Sequence, residues 1–397
     1  MKRKRLSQLA YLLPAVVLSV AWLASACGGG GSSVGEGQAT PSKGDVFVYV
    51  AVPLSGFQAN AGQTVLGGVR LRAAEINAQG GLMGYRVVVE GIDDESDSEV
   101  AAAVAQRIAD DVAAGKRILG VIGHLNSGQT LEAMKVYKDL ELVIITPTAS
   151  EVSLTQQGYR NFFRVNANDS VQARVDAEFL AKTLGLLRVA VLHNDDPYGI
   201  GLGQAVAENL RLLGTQVVTQ LQVAVEQSQY DAEIAHLRQA APDGIFYAGY
   251  EVECPYLRYA LTQAGMGQLP MLASDGCFLS ATIDNSDETA EGMYVSAFGP
   301  SPETAASQEW IKAYQEVEHR NPDTYSLNGY AAMQVLLDGA QQAGALSGKA
   351  IADAIRGLDL DSLMGRISYT AEGDLKEPSI YIFQVKGGRF EQVYPTR

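Results

Sequence analysis

"RILGVIGHLNSGQTLEAMKVYKDLELVIITPTAS", residues 117–150, is the stretch from which the rest of this chain can be read. It opens with a β-branched apolar run, turns through Asn126, Ser127 and Gly128, and follows a helical pattern from about Gln129 to Leu140. It then enters a second apolar run, "LVIITPTAS". A helix between two such runs carries the chain back to the edge where it started, so the strands lie parallel and the crossovers cover the sheet faces. In open parallel sheets ligands collect beyond the carboxyl ends of the strands. The turn at 124–128 is therefore the first place to look for a site.

The same unit repeats in both directions. Toward the N-terminus, "DVFVYVAVPL" (45–54) reads as a strand, and the next helix puts Val65, Val69, Ala73 and Ile76 on one face before Gly80 and Gly81. "YRVVVEGIDD" (85–94) follows, with Val100, Val104, Ile108 and Val112 spaced by four in its helix. After a break near residues 165–170 a second series begins, with strands at "LRVAVLHNDD", "TQVVTQLQV", "DGIFYAGY" and "PMLASDG". "GMYVSAFG" is a short extended piece, three helical stretches fill about Glu303 to Gly357, and residues 366–394 read as extended segments and turns. The late helices have no strands of their own and are expected to return to the first sheet.

Composition fits this picture. The 397 residues, 47% hydrophobic and 19% charged, exceed what one compact core usually holds. A formal charge of −15 disfavours nucleic acid and anionic lipid surfaces as partners. Lys2, Arg3, Lys4 and Arg5 precede an uncharged run from Leu6 to Ala26, which reads as an export signal. Its length also approaches that of a membrane span, so a retained anchor is the competing reading. "LASAC" followed by "GGGGSS" resembles the lipobox of bacterial lipoproteins, with Leu23 one position further from the cysteine than that pattern prefers. The expectation is a signal peptide over 1–26, lipidation of Cys27, and a Gly/Ser-rich tether over 27–44 that spans roughly 20–25 Å. Cys254 and Cys277 remain, and in an exported chain an even remainder suggests a disulfide, with two free buried thiols as the alternative.

The strand ends carry hydroxyls, aromatic rings and acids. Ser127 either caps its helix or offers its hydroxyl, with the free N–H groups of the helix start, to an anion. Thr148 and Ser150 in "TPTAS" could reach the same anion, because Pro147 interrupts the ladder there. Asp275 either begins an Asp-Gly turn or faces that anion site, and with Tyr250 nearby it would complete a receptor for a zwitterion. The acidic run "DDESDSE" (93–99) lacks the glycine and terminal glutamate of a calcium loop and reads as a solvated loop plus helix start. "GIGLG" (199–203) is too partial to imply a dinucleotide. The four histidines form no metal pair, and no nucleophile sits beside a base, so neither cofactor, metal nor enzyme activity is expected.

"VIGHLNSGQT", "VIITPTASEVSLTQQGYRNFFRV", "NDDPYGIGLGQAV", "FYAGYEVE", "ASDG", "GYAAMQVLLDGA" and "TAEGDLK", in this order from about Asp45 to Val393, resemble the leucine/isoleucine/valine-binding proteins, the substrate-binding components of branched-chain amino acid ABC transporters. The resemblance implies an α/β class I periplasmic-binding-protein fold of two lobes, 45–167 with 298–372 and 168–297 with 373–397, joined by three crossovers and closing on a ligand. It implies that Ser127 and Ser150 hold the ligand carboxylate and that the backbone carbonyl of Thr148 and the carboxylate of Asp275 receive its ammonium. Tyr198, Tyr250 and Tyr325 would be the aromatic walls. Asn126 stands where some members have cysteine, Glu253 adds an acid, and Ala61 stands where several amino acid binders have an aromatic, with Phe57 or Gln58 as substitutes. The implied function is capture of an aliphatic amino acid by an exported, lipid-anchored monomer and its delivery to ABC permease subunits. Alternatives are an amide, urea or aromatic acid as ligand, or a sensory lipoprotein partnered with a signalling receptor.

Overall fold

The computed structural model describes residues 40–395. The expected signal peptide, Cys27 and most of the tether lie outside them. Ser42 and Lys43, expected in the tether, donate their N–H groups to the Gly84 carbonyl at 2.9 and 3.0 Å, so the end of that segment is tied to the body.

The first sheet grows from β1 (Asp45–Val52), whose Val46, Val48, Val50 and Val52 face one side and Tyr49 and Ala51 the other, all fully buried. A strand buried on both faces must be central, and β1 lies between β2 (Arg86–Asp93) and β3 (Ile118–Gly123), followed outward by β4 (Val143–Thr146) and β5 (Phe162–Arg164). All four pairings are parallel. The crossovers are α1 (Ala59–Ala78), α2 (Ser98–Ala113), α3 (Ser127–Tyr137) and the single turn α4 (Ser153–Gln156). Helix α3 starts two residues earlier than its periodicity suggests, because Ser127 itself is its first helical residue. β5 was not legible as a strand: three residues give no period.

After Arg164 the chain crosses to a second sheet. It contains α5 (Asp169–Glu178), β6 (Arg188–Asn194), α6 (Pro197–Leu212), β7 (Gln216–Val223), α7 (Asp231–Ala240), β8 (Gly244–Ala248), α8 (Cys254–Gln263), β9 (Met271–Ala273), α9 (Ser280–Asp284) and β10 (Tyr294–Ala297). The chain then crosses back through α10 (Pro302–Ala305), α11 (Gln308–Glu318), α12 (Thr324–Ala343) and α13 (Gly348–Ile355), where the short α10 makes four helical pieces rather than three. α12 packs on α1 and against β3 and β4, as the strandless helices require. Two glycines allow this: a Cβ at Gly68 would lie 2.0 Å from the Ser326 carbonyl oxygen, and one at Gly329 would lie 2.1 Å from that of Val65. The helices meet backbone to backbone. A small hairpin, β11 (Asp359–Ser362) and β12 (Gly365–Ser368), precedes the third crossing, after which β13 (Tyr381–Lys386) and β14 (Arg389–Tyr394) join the second sheet. Its order is β14-β13-β10-β9-β8-β6-β7, antiparallel only at the β13 end. Two lobes of mostly parallel sheet, flanked by helices, thus bring their strand carboxyl ends to one cleft. No described helix is long and apolar enough to cross a membrane.

Candidate functional site

The cleft holds a small cavity. From the first lobe it is lined by Gln58, Leu125, Asn126, Ser127, Thr148, Ala149 and Ser150. Tyr198, Tyr250, Asp275 and Gly276 line it from the second lobe, with Tyr325 from the start of α12. All eight residues singled out from the sequence (Asn126, Ser127, Thr148, Ser150, Tyr198, Tyr250, Asp275 and Tyr325) meet there.

On the first-lobe side the wall is made of donors. The first intrahelical bond of α3 runs from Thr130 N–H to the Asn126 carbonyl at 3.0 Å, so the N–H groups of Ser127, Gly128 and Gln129 have no acceptor in the helix. The N-cap residue Asn126 makes no side-chain cap bond. Ser127 Oγ accepts from the N–H groups of Ser150 and Glu151, both at 3.2 Å. Those bonds occupy its two lone pairs, and its O–H is left to donate elsewhere. The capping alternative for Ser127 is thus not met: it is the first helical residue, and its side chain bonds the 150–151 loop instead. Ser150 Oγ is buried.

Buried Arg164 shapes the 149–155 loop that presents Ser150. Its guanidinium donates to the carbonyls of Ala149 (3.0 Å) and Glu151 (3.1 Å) and to Thr155 Oγ1 (3.2 Å), and it pairs with Asp374 at 2.8 Å. Thr146 Oγ1 adds two bonds, accepting from Ala149 N–H and donating to the His124 carbonyl, each at 2.9 Å.

The opposite wall is acidic. Asp275 begins a 3-10 turn after β9, and its Oδ1 accepts from the Tyr198 hydroxyl at 2.5 Å. The Tyr325 hydroxyl donates to the Asp275 carbonyl oxygen at 3.1 Å. Burial pushes the Asp275 carboxyl up to about 6, with the Tyr198 and Gln172 side chains pulling the other way. Behind it on α5, burial pushes Asp169 up to about 7, with the neighbouring Ser150 hydroxyl pulling the other way. Asp176, one face further along, is also held well above the usual carboxylate range by burial, although the Ser296 hydroxyl donates to it at 3.1 Å. Tyr198 stacks on Tyr250, ring centroids 5.6 Å apart and 16° from parallel. Cys254 and Cys277 are bridged, with Cα atoms 6.2 Å apart, which ties the loop after β8 to the one after β9.

Several residues behave differently from their sequence reading. Thr148 lines the cavity, but its hydroxyl donates to the Leu125 carbonyl at 2.5 Å and its own carbonyl accepts from Asn166 Nδ2 at 2.9 Å. Glu253 does not enter the cavity: its carboxylate accepts from the N–H groups of Glu226 and Tyr250 (both 2.8 Å) and from the Tyr247 hydroxyl (2.9 Å). The acidic run at 93–99 is not wholly solvated, because Asp94 is fully buried and lies 2.6 Å from His124 Nδ1. Its other half is as expected, with Asp97 capping α2. Ala61 is buried inside α1, and the place an aromatic would fill at the cavity goes to Gln58. Arg164 and Asp169 were missed. A charged residue ending an apolar triplet, "FFR", was the available signal for Arg164. Among the described residues no group of three or more His, Cys, Asp or Glu side chains is arranged to hold a metal ion.

Comparison with known proteins agrees with this geometry. A Leu/Ile/Val-binding protein homolog of Brucella abortus (strain 2308) is 29% identical over 346 residues, spanning 87% of this chain and 91% of the relative. A Leu/Ile/Val/Thr-binding protein of Salmonella typhimurium is 29% identical over 332 residues, spanning 84% and 89%. Among solved structures, a leucine-binding protein of Thermotoga maritima superposes with a TM-score of 0.80 at 25% identity, covering 88% of this chain and 97% of that one. A solute-binding protein of R. palustris in complex with benzoate has the same fold, with a TM-score of 0.78 at 18% identity. The sequence pattern of one family runs through residues 46–389, from the first strand to the last hairpin, and the chain belongs to that family, the periplasmic binding proteins, which bind substrates and are not enzymes.

Proposed function

We propose that this protein captures a small α-amino acid as a zwitterion by closure of its lobes and hands it to the permease of an ABC importer. The observation that carries this reading is the pairing of walls across one cavity. Donors stand on one side, at Ser127, Ser150 and the start of α3, and the buried carboxyl of Asp275 stands on the other. Each lobe supplies half of the contacts, so closure completes the site and the ligand shifts the population toward the closed form. Proteins of this family act outside the cytoplasm. A lipid on Cys27 would hold a monomeric body near its permease, as the "LASAC" stretch suggests.

An aromatic acid is the second reading, favoured by the three tyrosines that line the cavity and by the benzoate complex of a neighbour with the same fold. A ligand without an amine would leave Asp275 buried and unpaired, which weighs against it. Thermal unfolding of the purified protein against amino acids, their decarboxylated and deaminated analogues, small amides and benzoate separates the two. A concentration-dependent rise in midpoint for amino acids, lost with either analogue, is the expected result. A rise with benzoate or amides alone would remove the zwitterion reading.

A further inference from the structure

The rest of the cavity lining is mostly apolar, from tyrosine rings, Leu125 and Ala149, but two buried carboxamides, Gln58 and Asn126, stand in it. Its aliphatic contribution is limited to Leu125 and Ala149. Gln58, only 2% exposed, fills the place where a hydrophobic side chain would make an apolar floor. Its Oε1 accepts from Asn126 Nδ2 at 2.6 Å and from Ser96 Oγ at 2.9 Å. Gln58 Oε1 is thereby filled and the Gln58 side chain also meets the buried Glu251 carboxyl, so it is Asn126, with a second N–H and two lone pairs, that keeps capacity for a ligand. The Tyr250 hydroxyl is buried beside them, with the Asp196 carboxyl as its neighbour. Buried polar groups left unmet are costly, and an aliphatic side chain placed against them would leave them so.

Charge narrows the choice further. Among the described residues, Asp275 is the single charged residue lining the cavity. Once it meets an ammonium group, no charged side chain that lines the cavity remains for a charged ligand side chain.

From this we infer that Gln58 and Asn126 select an amino acid whose side chain carries an uncharged hydrogen-bonding group, a hydroxyl or a carboxamide, in preference to a branched aliphatic one. The inference rests on the zwitterion reading and departs from the aliphatic ligand that the sequence suggested. A site built to hydrogen-bond its ligand rejects the isostere that lacks the polar group far more strongly than an apolar pocket rejects a hydroxyl.

Isothermal titration calorimetry of the purified protein with two shape-matched pairs, L-threonine against L-valine and L-asparagine against L-leucine, tests it. The polar member of at least one pair should bind at least ~10-fold more tightly than its partner. Gln58→Leu and Asn126→Leu should each shrink that ratio by a similar factor. Equal or tighter binding of valine and leucine by the unaltered protein would overturn the inference, and if that binding is lost in Asp275→Asn the zwitterion reading survives. Absence of binding by all four amino acids would overturn both. The comparison within the unaltered protein decides the matter even if a variant fails to fold.

Discussion

The two walls of the cleft reach readiness by opposite routes. The first-lobe wall carries no charged side chain at the cavity and is braced from behind: Ser127 Oγ takes two backbone N–H groups, Thr146 takes one and gives one, and Arg164 clamps the loop. Its donors are aimed before any ligand arrives, so little ordering cost remains at binding. The second-lobe wall is acidic. Asp275, Asp169 and Asp176 are buried together, and burial raises all three. One wall is held rigid from behind with donors left over for an anion, whereas the other is relieved by a cation. Stability and affinity should therefore respond differently to changes on the two sides.

The largest effect is expected behind the donor wall. Arg164→Met leaves Asp374 and three loop acceptors without their buried partner and should cost about 3–5 kcal/mol of stability, read from denaturant unfolding. A loss below ~1 kcal/mol would show that the loop is held by something else. Next is the acid wall's covalent brace. Replacing Cys254 and Cys277 together by serine opens a link across a sequence separation of 23 and should cost about 3 kcal/mol, with the loss concentrated in the second lobe. Hydrogen exchange would locate it.

Asp275→Asn should weaken amino acid binding by about 1.5–3 kcal/mol and also change its pH dependence. Burial raises this carboxyl from 3.8 to about 6, so the empty protein loses stability as pH climbs between those values and carries the cost above them. A ligand ammonium offsets that cost. Affinity is thus full above about pH 6 and falls on acidification, as protons compete with the ammonium for one carboxylate. The neighbours that face Asp275 are Asp169 and Asp176 from α5, Tyr198 from α6 and Tyr325 from α12, the two tyrosines remaining protonated donors. In Asp275→Asn the acid fall should flatten, and an unchanged profile would shift the effect to Asp169. Ser127→Ala removes one donor from a wall that keeps several, so its cost should be smaller, about 1–2 kcal/mol, and independent of pH across this range.

How much of this was legible beforehand follows from what each feature needs. β1 and α1 announce themselves because their burial repeats at a period of two or close to four, and such periods survive in a linear string. β5 has three residues and no period. The eight cavity residues were readable because they sit at strand ends, where the topology alone collects them, and because their order resembles that of a known family. The roles of Thr148 and Glu253 were not readable. Whether a hydroxyl or a carboxylate turns into the cavity or back onto its own loop depends on acceptors and donors brought from distant segments, such as Leu125 for Thr148 and Glu226 for Glu253. Arg164 has the same character, since its partner Asp374 lies beyond the third crossing between lobes.

The central claim, one charge recognised by each wall, is tested most directly by crossing ligands with variants in calorimetry at pH 7.5. The tightest-binding amino acid, its deaminated acid and its decarboxylated amine would each be titrated into the unaltered protein, Ser127→Ala and Asp275→Asn. The account predicts that Asp275→Asn weakens the amino acid and the amine but not the acid, while Ser127→Ala weakens the amino acid and the acid but not the amine. If both variants weaken all three ligands alike, the two walls do not divide the zwitterion between them and the account is wrong.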